Sequence, residues 1–134
     1  MSQYLNIYIV PKGSEKPILL KSYCRNSPVC DSFLDTLVIR SEQVPLTQSQ
    51  MTEVVQHAEE EVKQAKQWLN EITDAFGHVQ NVSTELWEEF LSNYSSRKNL
   101  AIDSVETLAQ IKFLYNFLFE ETSDDVETIL VNYE

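Results

Sequence analysis

Thr47–Phe76 reads TQSQMTEVVQHAEEEVKQAKQWLNEITDAF, with apolar residues at Met51, Val55, Ala58, Val62, Ala65, Leu69, Ile72 and Phe76. The spacings are 4-3-4-3-4-3-4, the heptad rhythm of a helix that lays one apolar seam against other helices. Thr47 followed three residues later by Gln50 matches a capping box and marks the start; Gly77 marks the stop. The remaining faces carry Glu53, Glu59, Glu60, Lys63, Lys66 and Glu71, with Glu59 and Lys63 four apart as a supporting pair. A helix of this length extends about 45 Å, against a radius of gyration of about 14 Å for a compact chain of this size. Either other helices line the seam along its length, or part of it projects and meets another chain. Packing within one chain is the first expectation. A homodimer through the same seam, with Ala58 and Ala65 permitting close approach, is the alternative.

Downstream, two further helices are expected. Val82 precedes Ser83 as N-cap and Trp87 stands at the fourth helical position, the arrangement of a hydrophobic staple. Leu86, Trp87, Phe90, Leu91 and Tyr94 form the stripe this helix would bury. The polar run Asn93–Asn99 reads as a connecting loop. A second helix then begins near Asp103, with Glu106 three residues on, and continues to about Glu120. Its Val105, Leu108, Ile111, Leu114, Tyr115, Leu118 and Phe119 cover a wide arc, so burial on several sides is expected.

Upstream, Tyr4–Val10 is rich in β-branched and aromatic residues and places Leu5, Ile7 and Ile9 on one face. Pro11, Gly13 and Pro17 punctuate the chain before a second strand, Ile18–Cys24. Ser27 can cap a short helix with Pro28 at its first position and Val29, Phe33, Leu34 and Leu37 turned inward. A two-stranded ribbon is marginal alone, so the hairpin needs helices or a third strand. Val126–Tyr133 fits a helix or a strand; its β-branched content and the hairpin's need favour a strand. The expectation is one α+β domain over residues 1–134, in which a hairpin packs on a mainly helical bundle. Within it, 1–40 is hairpin plus short helix, 41–122 the bundle, and 123–134 the C-terminal strand or short helix.

At 134 residues, 43% of them hydrophobic, with six Phe, six Tyr and two Trp, the chain can fill a single core. Only two glycines are present, which argues against glycine-rich phosphate loops. The formal charge of −11 is uneven. Residues 1–40 hold five bases (Lys12, Lys16, Lys21, Arg25, Arg40) against three acids (Glu15, Asp31, Asp35), a net of +2, so residues 41–134 carry −13. Such a field repels phosphate backbones, and direct nucleic-acid binding is not expected. No apolar run approaches the roughly 20 residues that cross a bilayer, and no secretory leader is visible. No membrane association and a reducing, cytoplasmic setting are expected.

Candidate chemistry is sparse. Cys24 and Cys30 are too far apart in sequence for a usual zinc pair, and His57 and His78 are the only imidazoles. Glu-x-x-His is absent because Val54 and Ala75 stand where the glutamates belong, and no His-Glu-x-x-His, nucleophile elbow or P-loop occurs. No catalytic residue, metal or cofactor is assigned, and Cys24 and Cys30 are read as packing residues. The expected function is a non-catalytic protein–protein interaction or assembly module with a protein partner, basic in character. Its contact residues are the acids Glu53, Glu59, Glu60, Glu120, Glu121, Asp124, Asp125 and Glu127, or the heptad seam itself. One alternative is an acidic nucleic-acid mimic that inhibits a nuclease or other nucleic-acid-binding protein. A second is a small-molecule binder or enzyme with a pocket where Tyr23, Trp87 and Tyr115 gather.

Overall fold

The computed structural model describes residues 3–134. In chain order the elements are β1 (Tyr4–Pro11), β2 (Ile18–Cys24), α1 (Pro28–Thr36), β3 (Val44–Pro45), α2 (Gln48–Gly77), α3 (Thr84–Asn116), a π-helical turn (Phe117–Glu121) and β4 (Val126–Tyr133). The fold is α+β: a four-stranded antiparallel sheet, ordered β2-β1-β4-β3, with three helices.

The period-two pattern of β1 does what it predicts. Leu5 and Ile7 are fully buried, and Val131 and Ile129 of β4 lie opposite Ile7 and Ile9. This apolar face is covered by Val29 and Phe33 of α1, Met51 and Val54 of α2, and Ile111 and Leu114 of α3, with Leu118 of the π turn. The alternate residues form a polar row across three strands. The Ser22 hydroxyl donates to Asn6 Oδ1 at 2.7 Å, and Asn6 Nδ2 donates to Asn132 Oδ1 at 3.0 Å. Asn132 is buried, and its Nδ2 donates to the Ser41 carbonyl at 3.0 Å, so the polar atoms are paired as burial demands.

The hairpin thus gains β4 as the third strand it required. β4 in turn pairs with β3, a two-residue strand that periodicity is too short to reveal, so the segment from residue 41 opens with a strand and not a helix. Flanking bonds extend that edge: the Leu46 amide donates to the Ile129 carbonyl and the Tyr133 amide to the Arg40 carbonyl. The 30-residue α2 starts where its cap predicts. Gln50 N donates to Thr47 Oγ1 at 3.1 Å and Thr47 N to Gln50 Oε1 at 3.0 Å. Replacing Thr47 with Ala removes one acceptor from an otherwise orphaned amide and is expected to cost about 1 kcal/mol in urea denaturation. A loss below about 0.3 kcal/mol would mean that water replaces the cap without penalty.

Three local expectations need correction. Asn93–Asn99 is helical, so the two expected C-terminal helices are one, α3, of 33 residues. The run contains no Gly or Pro, and its Arg97 Nη1 donates to the Trp68 carbonyl of α2 at 2.7 Å, which holds the stretch against its neighbour. Helix α3 also ends at Asn116, and the chain continues as the π turn, closed by the Thr122 hydroxyl on the Phe117 carbonyl at 2.8 Å. Gly77 is the last residue of α2, as expected of the stop, and it keeps a helical conformation; among the described residues only Gly13 has positive φ. Helix α2 closes through the His78 and Val79 amides on the Ala75 and Phe76 carbonyls. Ser27 sits at the start of α1 without a side-chain cap, its carbonyl accepting from the Asp31 amide.

Helices α2 and α3 run antiparallel, as Gln48–Tyr115, Trp68–Arg97 and Phe76–Phe90 contacts show. The α2 seam turns to α3: Met51, Ala58 and Ala65 are buried, and Val55, Val62, Leu69, Ile72 and Phe76 half-buried. No residue between Ala65 and Ala101 is fully buried. Beyond that level the two helices continue past the sheet-based core as a hairpin. Its far end is held by an aromatic cluster in which Phe76 stacks on Phe90 at 4.0 Å and meets Trp87 at 5.6 Å.

Candidate functional site

Helix α3 has apolar residues on two faces. One packs on α2 and the sheet. On the other, Leu91, Ile102, Val105 and Phe113 are between 41% and 68% exposed, and Trp87, 45% exposed, stands at the hairpin tip, where its ring also meets Phe76 of α2. At 3.6 residues per turn these five fall within about 80° of one another, so they form a single stripe along the helix. Trp87, Leu91 and Val105 are therefore not buried as the sequence reading expected. That reading split α3 at residues 93–99 and so lost the phase connecting its two halves. A stripe of this extent is uncommon on a free surface, where contiguous apolar patches are usually small.

At its C-terminal end the stripe runs into a groove of about 810 Å³ between β2 and α3. Leu20 and Tyr23 line one wall, Phe113, Leu114 and Phe117 the other, with Lys21 at the rim. The groove lies on the β2 side of the sheet, where β2 is the edge strand among the described residues. Burial raises the Tyr23 phenol above its ordinary pKa, which keeps this side chain neutral. Of the three aromatics expected to gather in one pocket, only Tyr23 is here. Trp87 lies at the far end of the helical hairpin, and Tyr115 lines a separate depression with Thr52, Val55, Lys112 and Asn116.

The predicted acidic residues are all exposed: Glu53, Glu59 and Glu60 on α2, Glu120 and Glu121 on the π turn, Asp124 and Asp125 before β4, and Glu127 on it. Among the described residues the one contact at ion-pair distance is His57 Nε2 with Glu61 Oε1, at 3.7 Å, a charge pair only when the imidazole is protonated. The expected Glu59–Lys63 contact is not made. Both thiols are free: Cys24 is exposed on β2 and Cys30 is buried in α1. Burial, then the Asp31 charge and Cys24, push the Cys30 thiol up, against a smaller opposing effect of its backbone hydrogen bond with Leu5. A protonated, enclosed thiol fits packing better than nucleophilic chemistry.

Asp35 of α1 approaches His57 and Glu61 of α2, with donor atoms from all three within 4.8 Å of one another. Sequence spacing shows the His57–Glu61 pairing but not Asp35, which the α1–α2 packing supplies. His57 Nδ1 is buried without a hydrogen-bond partner. The set is one donor short of the four that a structural zinc ion takes, and the two carboxylates are on exposed residues.

The fold defines a class, a four-stranded antiparallel sheet bearing a long helical hairpin, and the hairpin's outer stripe and groove form its most developed surface feature. Compared with family models, curated sequences and solved structures, the chain matches none. No helix among the described residues is long and apolar enough to cross a membrane.

Proposed function

We propose that this chain is a non-catalytic protein–protein interaction or assembly module, and that it docks its partner along the outer face of α3 and the adjoining groove. The observation that carries this reading is the set of exposed apolar side chains on one face of α3, Trp87 and Leu91 near its start and Ile102, Val105 and Phe113 in its second half, with Ser95 and Lys98 between them. Fully burying such a side chain gains roughly 1.5–3 kcal/mol; most of these are already about half covered, so each has about half of that left to contribute to association. The two free thiols fit a reducing, cytoplasmic setting.

A photo-crosslinking amino acid in place of Val105 or Phe113 is expected to join the chain to protein in cells, while the same group in place of exposed Asp125 gives far less adduct. An adduct of twice the chain mass identifies self-assembly, and any other mass a foreign partner. No adduct at Val105 or Phe113 overturns the reading.

A second reading rests on a different observation. The clustered acids carry no ion pair among the described residues, so their field is uncompensated. That supports an acidic nucleic-acid mimic capturing a basic protein. Such capture should weaken steeply as salt rises, because screening removes the long-range attraction. Binding of a basic nuclease that is insensitive to salt would exclude it.

A further inference from the structure

We infer that the outer face of α3 pairs with the same face of a second copy, antiparallel, so that each hairpin tip enters the other copy's groove. This rests on the interaction-module reading above and names its partner. The exposed positions along the face are Trp87, Leu91, Ser95, Lys98, Ile102, Val105, Ala109 and Phe113. Their spacing, 4-4-3-4-3-4-4, reads the same in both directions and is centred on residue 100. Two copies crossing there about a two-fold axis bring Trp87 to Phe113, Leu91 to Ala109, Ser95 to Val105 and Lys98 to Ile102. Each inner pair sets a large side chain against a small or flexible one, as interdigitated helices require. Parallel pairing leaves Ala109 facing Ala109, a gap at the level where the antiparallel arrangement seats Leu91. The isologous geometry also closes, so association stops at two copies.

The ends of the stripe agree with this arrangement. The outermost pair places Trp87 of one copy at Phe113 of the other, on the rim of the groove lined by Leu20, Tyr23 and Phe117. The tip that arrives carries Glu85 and Glu88, and the receiving groove carries Lys21 in its lining with Arg25 next to Cys24 of that lining. In a chain of net charge −11, the acidic end of the stripe thus meets one of the few basic regions.

Light scattering during size exclusion at tens of micromolar is expected to give twice the 15.5 kDa chain mass. Leu91→Ala opens a gap twice in the dimer and Ala109→Leu introduces a clash twice; each is expected to weaken association about tenfold or more. The double variant, which exchanges the two sizes across the interface, is expected to recover wild-type affinity. Far-UV circular dichroism checks that each variant remains folded; both sites are exposed in the single chain, so folding should be unaffected. In a Cys24→Ser background, Ser95→Cys with Val105→Cys is expected to form a disulfide between copies, and Ser95→Cys alone is not. A monomer at these concentrations overturns the inference; if the crosslinker at Val105 then captures a different protein, the interaction-module reading stands without it. A dimer that the double variant fails to rescue, or that links Ser95→Cys to itself, overturns the antiparallel pairing.

Discussion

Replacing Phe33 with Ala is expected to lower the unfolding free energy by about 3–5 kcal/mol, the range for a fully enclosed aromatic. Phe33 is the largest of the completely buried side chains and stands on α1 in the cluster that joins Leu5 and Ile7 of the sheet to Met51 and Val54 of α2. Removing the ring forfeits its transfer from water and leaves a cavity that these neighbours cannot fill without moving β1 or α2, to which they belong. Since domains are stable by only about 5–15 kcal/mol, the variant should lie close to unfolding at physiological temperature. Urea denaturation followed by circular dichroism measures the loss. Val38→Ala, at a residue 83% exposed, is the matched control and should change stability by less than about 0.5 kcal/mol. A Phe33→Ala loss below about 1.5 kcal/mol would mean that α1 is loosely seated and the described core is not the stabilising one.

Ser96→Pro is the second large effect, expected to cost about 3 kcal/mol or more. Ser96 is exposed in the middle of α3, so its side chain contributes little and the change acts on the backbone alone. Proline deletes the amide that bonds one turn back, and its ring collides with that turn's carbonyl. The helix must kink where Arg97 reaches the Trp68 carbonyl, and the turns before the kink carry Phe90, stacked on Phe76 of α2. Were 93–99 a loop, the same proline would be nearly neutral. Urea denaturation decides between these, and amide hydrogen exchange over 93–99 gives an independent reading: slow exchange in the native protein marks a continuous helix. A proline cost under about 1 kcal/mol with fast exchange would restore the loop and break the phase of the outer stripe.

Some of this molecule is legible from its residues alone. The start of α2 follows from Thr47 and Gln50, whose reciprocal bonds depend only on a three-residue spacing. Its seam follows from a heptad repeat that has no competing period. The β1 strand follows from Leu5, Ile7 and Ile9 alternating with Asn6 and Tyr8, and the hairpin from the breakers between its strands. Val126–Tyr133 is intermediate: both periods fit its apolar residues, and pairing with β1 at Ile7–Val131 and Ile9–Ile129 is what settles the strand.

Other features are set by packing at a distance. Residues 93–99 have a composition that suits a loop or a helix equally, and α2 tips the balance by offering a carbonyl to Arg97 and a surface to Phe90. The partners of β3 and of Asp35 are far away in sequence, so no local pattern points to them. The outer stripe of α3 shows the difference most clearly. Periodicity tells which residues share a face, because that depends on 3.6 residues per turn and nothing else. It does not tell which of two apolar faces the rest of the chain covers. That choice depends on where α2 and the sheet sit, and it leaves Trp87, Leu91, Ile102, Val105 and Phe113 exposed on the outside.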